Sequence, residues 1–140
     1  MFVKPNPGHG DCFAYALADA SAGNYSANVV RDRAMSLIFE QPHLECVRNL
    51  TEDEVLTISV DGQYLSDAQA KIFAVALQTD IFILDAPSRL ARFIERGVGL
   101  VNYFGETASR NMIFHRRGDI YNPLVVILYT PGHYEGVCWP

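Results

Sequence analysis

From Cys12 onward the first half of the chain places apolar residues at helical spacing, and the second half replaces that rhythm with short apolar runs broken by turns. Gly8, His9 and Gly10 interrupt regular structure, and Asp11 is a good N-cap, so a helix is expected to start at Cys12. Its run Phe13, Ala14, Tyr15, Ala16, Leu17, Ala18 is nearly continuous, which predicts burial on most sides. Ser26 or Asn28 can cap a second helix with Val29, Val30, Ala34, Leu37 and Ile38 on its inner face, and Pro42 ends it. One or two short helices are expected over 43–57, where Thr51 and Glu54 match the capping-box spacing. Ser66 to Gln78 is the clearest helix. It has a second capping box at Ser66 and Gln69 and an apolar face of Ile72, Phe73, Val75, Ala76 and Leu77.

Ile81 to Leu84 has the texture of a short buried strand, and a short helix is expected over Arg89 to Glu95. Strands are expected at 99–104, 111–116, 123–129 and 133–139. Leu124 to Leu128 is apolar without alternation, as in a strand covered on both faces. Pro131 and Gly132 form a tight turn that delivers His133 to the start of the last strand. The pattern predicts an α+β fold, with N-terminal helices packed on a small, mostly C-terminal β-sheet.

A length of 140 residues suits one domain, 1–140, and 49% hydrophobic with 19% charged residues is a globular composition. A net charge of −5 without a basic run argues against nucleic acid as a partner. The longest apolar stretches fall far below the roughly 18–20 residues that span a bilayer, and no charged-then-apolar leader opens the chain. No membrane partner is expected. Cys12, Cys46 and Cys138 are too few and too scattered for a disulfide framework, and neither CxxC nor HExxH spacing occurs. The expectation is free thiols in a reducing, cytoplasmic compartment, with no metal and no cofactor.

The odd thiol count directs attention to Cys12. A helix N-terminus carries partial positive charge, which favours a thiolate there. The free N–H groups of Gly10, Asp11 and Cys12 can converge on a developing oxyanion. These are the requirements of acyl transfer through a thioester, set against the alternative of an inert, buried thiol. His133 can supply the base that holds the proton and returns it to the leaving amine; otherwise it is a surface residue at a strand mouth. His9, His43 and His115 compete for that role, although His43 lies in a polar helix start and His115 beside Arg116 and Arg117. Glu135, two residues on and on the same strand face, can orient the imidazole; Asp11 is the alternative.

Pro7-Gly8-His9-Gly10-Asp11-Cys12-Phe13 and the strand Leu124 to Tyr129 followed by His133-Tyr134-Glu135-Gly136-Val137 resemble the two end motifs of the ovarian-tumour (OTU) family of cysteine proteases, especially its compact viral members. The two motifs occur in the family's order with Cys12 and His133 121 residues apart, and Ser66 to Leu84 resembles the helix-to-strand unit between them. The family's usual motif Asp is His9 here, and the usual Asp or Asn two residues after the base is Glu135. The resemblance implies a papain-like fold and isopeptide hydrolysis at the C-terminal Gly-Gly of ubiquitin or ubiquitin-like modifiers. It implies Cys12, His133 and Glu135 as catalytic residues, and the host cytosol as the setting for a viral member. Glu52, Asp53 and Glu54 would be available to meet the Arg side chains of such a tail, and Tyr134 and Trp139 could wall the groove or pack in the core.

Other readings remain open at this level. One is a viral papain-like protease that processes its own polyprotein. Another is an OTU-like module that binds ubiquitin without turnover, motivated by His9. A remote third is a metal-binding module built from Cys12, His133 and Cys138.

Overall fold

The computed structural model describes residues 2–6, 12–21, 24–58, 66–97, 101–116, 119, 121 and 123–138. The elements run β1 (Phe2–Lys4), α1 (Cys12–Ala20), α2 (Ala27–Glu40), α3 (Glu45–Arg48), α4 (Glu52–Ile58), α5 (Asp67–Leu77), β2 (Asp80–Asp85), β3 (Ala91–Ile94), β4 (Val101–Phe104), α6 (Glu106–Arg116), β5 (Leu124–Thr130) and β6 (His133–Cys138). The strands form one sheet in the order β1-β6-β5-β2-β3-β4. Only β2 and β5 pair in parallel; the other neighbours are antiparallel.

Alternation along the strands sorts the core into two layers. On one face Ile81, Ile83, Ile94, Val125, Ile127 and Tyr134 pack against α1, α2 and α5, with Phe13 and Phe73 in edge contact at 5.5 Å. On the other face Phe82, Phe93, Val126 and Val137 pack with Ile113 of α6. The central strands β2 and β5 are therefore covered on both sides, as the unbroken apolar run of β5 predicts.

The helix signals in the first half hold. Ser26 caps α2, its Oγ accepting from the Val29 N–H. Thr51 and Glu54 form a capping box at α4, and Ser66 and Gln69 form another at α5. One assignment on α2 is corrected: Val29 sits in the first turn facing solvent, and Arg31 is buried instead, donating to the Ile58 carbonyl at 2.6 Å.

Two elements in the second half differ from expectation. The helix expected over Arg89 to Glu95 is the strand β3. Pro87 and Ser88 lie in a turn in which Asp85 Oδ1 accepts from the Ser88 N–H, and Arg89 takes a left-handed φ of 58°; the chain then returns antiparallel to β2. Arg92 gave the segment a polar position that resembled a helix face. The strand expected at 111–116 is the second half of α6. Met112-Ile113-Phe114 imitates a strand, but Ser109 and Ile113, four apart, are the buried positions. Glu106 in the first turn, its ion pair with Arg110, and His115 and Arg116 in the last turn all suit the helix dipole. Arg116 then pairs with the buried Asp80, whose other oxygen accepts the Arg96 N–H at 2.7 Å. The edge strand β1 is too short to carry a periodic signal.

Helix α1 lies directly on β6. A Cβ at Gly136 would stand 2.6 Å from the Ala16 carbonyl oxygen and 2.9 Å from the Ala20 nitrogen, both backbone atoms that cannot move alone. Gly136→Ala is therefore expected to destabilise by about 1–3 kcal/mol, read as a lower urea midpoint at unchanged slope; an unchanged midpoint would contradict this packing. Glu54 accepts from the Thr51 N–H at 2.9 Å and from the Ser66 hydroxyl at 2.8 Å, and these bonds hold its carboxyl below the ordinary 4.5. A depressed folded value makes the link between α4 and α5 complete above the ordinary glutamate range, and the link is lost as pH falls through the lower value. An NMR titration should place the Glu54 midpoint below 4.5; a midpoint at or above it contradicts the bonded geometry.

Candidate active site

The path of α1 over β6 decides which ends meet. Cys138 Sγ lies 3.4 Å from the Asp19 carbonyl oxygen, Gly136 sits under Ala16 and Ala20, and the Tyr134 ring meets Phe13 at 5.0 Å. Contacts advance in the same direction along both elements, so the start of α1 and the start of β6 share one end of the sheet. Cys12 is the first residue of α1 and His133 the first of β6.

A second tether works from the other side. Asn6, just past β1, donates from its side-chain amide to the Tyr134 carbonyl oxygen at 2.8 Å. The chain is therefore held at Tyr134 twice, by Asn6 on the way out of β1 and by Phe13 at the start of α1. Cys12 lies inside that clamp. Neither β1 nor the role of Asn6 is visible in the sequence pattern, because three residues and one amide give no periodicity.

Within β6, Tyr134 and Gly136 face α1, whereas His133 and Glu135 emerge on the opposite face with Val137. The sequence-based placement of His133 and Glu135 on a common face holds: Nε2 of His133 stands 3.7 Å from Oε2 of Glu135. That separation is an ion-pair distance for a charged ring and too long for a hydrogen bond. Both side chains are partly exposed, whereas Cys12 is only 1% exposed.

The other candidates separate cleanly. His43 is exposed before α3, and His115 is exposed in the last turn of α6 against Phe114. Tyr134 is 8% exposed and belongs to the core, stacked among Phe13 and Tyr129, and burial pushes its phenol up from the ordinary value. Glu52 and Asp53 are exposed at the start of α4, but Glu54 is committed to its capping box and to Ser66. Cys138 lies at the far end of β6 from His133, about 16 Å along an extended strand, so Cys12, His133 and Cys138 do not converge as a metal module would require. The proposed oxyanion donors Gly10 and Asp11, together with Pro7, Gly8, His9 and Trp139, lie outside the described residues. Among the described residues, no helix is long and apolar enough to cross a membrane.

No protein-family model matches this chain, and no curated protein does. Solved structures match its fold over nearly the whole length. An OTU deubiquitinase from Wolbachia pipientis wMel superposes with a TM-score of 0.66 at 14% identity, covering 96% of this chain and 85% of that one. The same enzyme bound to ubiquitin gives 0.64 at 13% identity, covering 96% and 93%. The viral OTU domain protease of Dera Ghazi Khan virus gives 0.58 at 16% identity, covering 96% and 78%. With its six-stranded mixed sheet and its opening helix laid along the last strand, the chain has the fold of the OTU domains.

Proposed function

We propose that the chain is a thiol hydrolase of the deubiquitinase type, cleaving the bond after the C-terminal glycine of ubiquitin or a ubiquitin-like modifier. The observation that carries this reading is the double tether at Tyr134, which puts the chain on both sides of Cys12 against the residue next to His133. The ubiquitin complex of the Wolbachia enzyme, which shares this fold, supports ubiquitin as the partner class.

In this reading Cys12 Sγ attacks the carbonyl carbon of the terminal glycine and its proton passes to His133. Main-chain N–H groups of Gly10 and Asp11 receive the oxyanion, a role assigned from the sequence alone. The carbon–nitrogen bond breaks, His133 returns the proton to the leaving amine, and a thioester remains. Water, deprotonated by His133, then attacks the thioester; the carboxylic acid departs and the thiol is restored. Since Nε2 of His133 faces Glu135, Nδ1 is the nitrogen left for the thiol. The Glu135 carboxylate, 3.7 Å from Nε2, orients the imidazole for each transfer.

The burial of Cys12 favours a second reading, in which the domain binds a modifier without turnover. The hydrolase reading requires substrate binding to uncover the sulfur, a conformational step of a kind common among enzymes with closing loops. One experiment separates the two. A ubiquitin probe with an electrophilic C-terminus should become covalently attached at Cys12, and Cys12→Ala should abolish attachment while ubiquitin binding persists. In hydrolysis of a fluorogenic ubiquitin amide, His133→Ala should lower kcat/KM by about 10³-fold or more, and Glu135→Ala by about 10–100-fold. Binding with no attachment and no hydrolysis by the unaltered protein would establish the second reading.

A further inference from the structure

Beyond His133 and Glu135 the same face of the sheet leads into a groove. The register aligns Glu135 with Leu128 and then with Leu84. It aligns His133 with Thr130, and the Ala86 N–H extends the pairing of β2 with β5 by donating to the Tyr129 carbonyl oxygen at 3.0 Å. Leu84 and Ala86 line a cavity of about 640 Å³ between the β2–β3 turn and α6, together with Leu90, Ala91, Ile113 and Phe114. Two strand spacings, about 10 Å, separate Glu135 from Leu84.

The turn is fixed from within. The Asp85 N–H donates to the Leu90 carbonyl oxygen at 3.0 Å, and the Arg89 N–H to the Asp85 carbonyl oxygen at 2.9 Å. Leu90 is 49% exposed beside the cavity, and Phe114 reaches it from α6 at 68%. Large apolar residues exposed together around one cavity mark an interaction site. Arg89 is exposed at the rim, and among the described residues its guanidinium has no ion-pair or hydrogen-bond partner. The acids of the rim are already engaged: Glu106 pairs with Arg110 at 2.5 Å, and Asp85 Oδ1 accepts from the Ser88 N–H. The groove therefore offers apolar walls and one unpaired cation.

Proton transfer decides which half of a substrate lies there. A general acid must stand beside the amine it protonates. In the hydrolase reading the acyl half stays on the Cys12 sulfur, at the start of α1. The amine leaves past His133, whose side chain lies on the α6 face of the sheet. An extended polypeptide covers about 3.3 Å per residue, so side chains roughly three residues from the acceptor lysine reach the groove.

We infer that this groove binds the acceptor polypeptide, the chain whose lysine is released from the modifier. It seats an apolar side chain between Leu90 and Phe114 and pairs an acidic one with Arg89. The inference rests on the hydrolase reading and names the other half of its substrate.

The test compares two conjugates in which ubiquitin is joined by an isopeptide bond to a short lysine peptide. One peptide carries Leu-Glu about three residues from the lysine on each side, and the other carries Ser-Ser there. The unaltered protein should cleave the Leu-Glu conjugate with a kcat/KM about 10-fold higher than the Ser-Ser conjugate. Arg89→Glu and Leu90→Ser should each reduce that ratio to about twofold or less. Both variants should hydrolyse the fluorogenic ubiquitin amide, which has no acceptor polypeptide, at the unaltered rate. A Leu-Lys peptide should restore the preference in Arg89→Glu, a recovery that a folding defect does not produce. Equal cleavage of the two conjugates by the unaltered protein overturns the inference. An equal loss on the fluorogenic amide overturns it by assigning the groove to the modifier. A dimer of the unaltered protein that Leu90→Ser dissolves overturns it by assigning the groove to a second copy. Binding to Cys12→Ala gives a readout without turnover. By fluorescence anisotropy it should hold the Leu-Glu conjugate about 10-fold more tightly than the Ser-Ser conjugate, and adding Arg89→Glu should remove the difference. Absence of hydrolysis by the unaltered protein counts against the hydrolase reading, whereas equal affinities of the two conjugates for Cys12→Ala count against the acceptor groove.

Discussion

Everything at the candidate site depends on how closely α1 can lie on β6. Gly136 allows it, because any side chain there would strike the backbone of α1 at Ala16 and Ala20. With that contact made, the direction of α1 over the strand leaves little freedom. The helix must begin where the strand begins, and the first residues of each are the thiol and the imidazole. The constraint is one of van der Waals packing, and the chemistry inherits it. Sheet pairing reinforces the contact, since β1 hydrogen-bonds along the outer edge of β6 and brings the N-terminal chain to the same end.

The two faces of β6 divide the work. The face toward α1 carries Tyr134 and Gly136, which are structural, and the opposite face carries His133 and Glu135, which are partly exposed. The backbone of these two partly exposed residues is held by the buried contacts that their neighbours make on the other face. Tyr134 concentrates this holding role through its ring and its main-chain oxygen, each used by a different part of the chain. The buried state of Cys12 sets a condition on the same scheme: the sulfur has to be uncovered before a carbonyl can reach it.

Helix caps and the apolar run of β5 were legible in the sequence because they depend on local chemistry, on a hydroxyl three residues before an amide or on five apolar residues in succession. The same was true of the α+β order. The segments at 89–95 and 111–116 were misread for a common reason. Each has a side chain whose partner is remote in sequence. Arg92 sits in an interior strand because Asp67 pairs with it from another element, and Ile113 covers a sheet face that is not adjacent in the chain. The anchoring roles of Asn6 and Gly136 were invisible for the same reason, since both are defined by a contact more than a hundred residues away. Sequence pattern singled out candidate residues; it did not identify what holds their backbone in place.

The hydrolase reading requires the Cys12 sulfur and the His133 imidazole to come within reach of each other at the end of the sheet where α1 and β6 both begin. A short bifunctional alkylator such as 1,3-dibromoacetone, which joins a thiol to an imidazole only when the two are about 5 Å apart, tests it directly. The account predicts a single bridged product after proteolysis, joining the peptide of Cys12 to the peptide of His133, and its loss on unfolding before treatment. Alkylation of Cys12 without a bridge to His133, or a bridge to His43 or His115 instead, would contradict it.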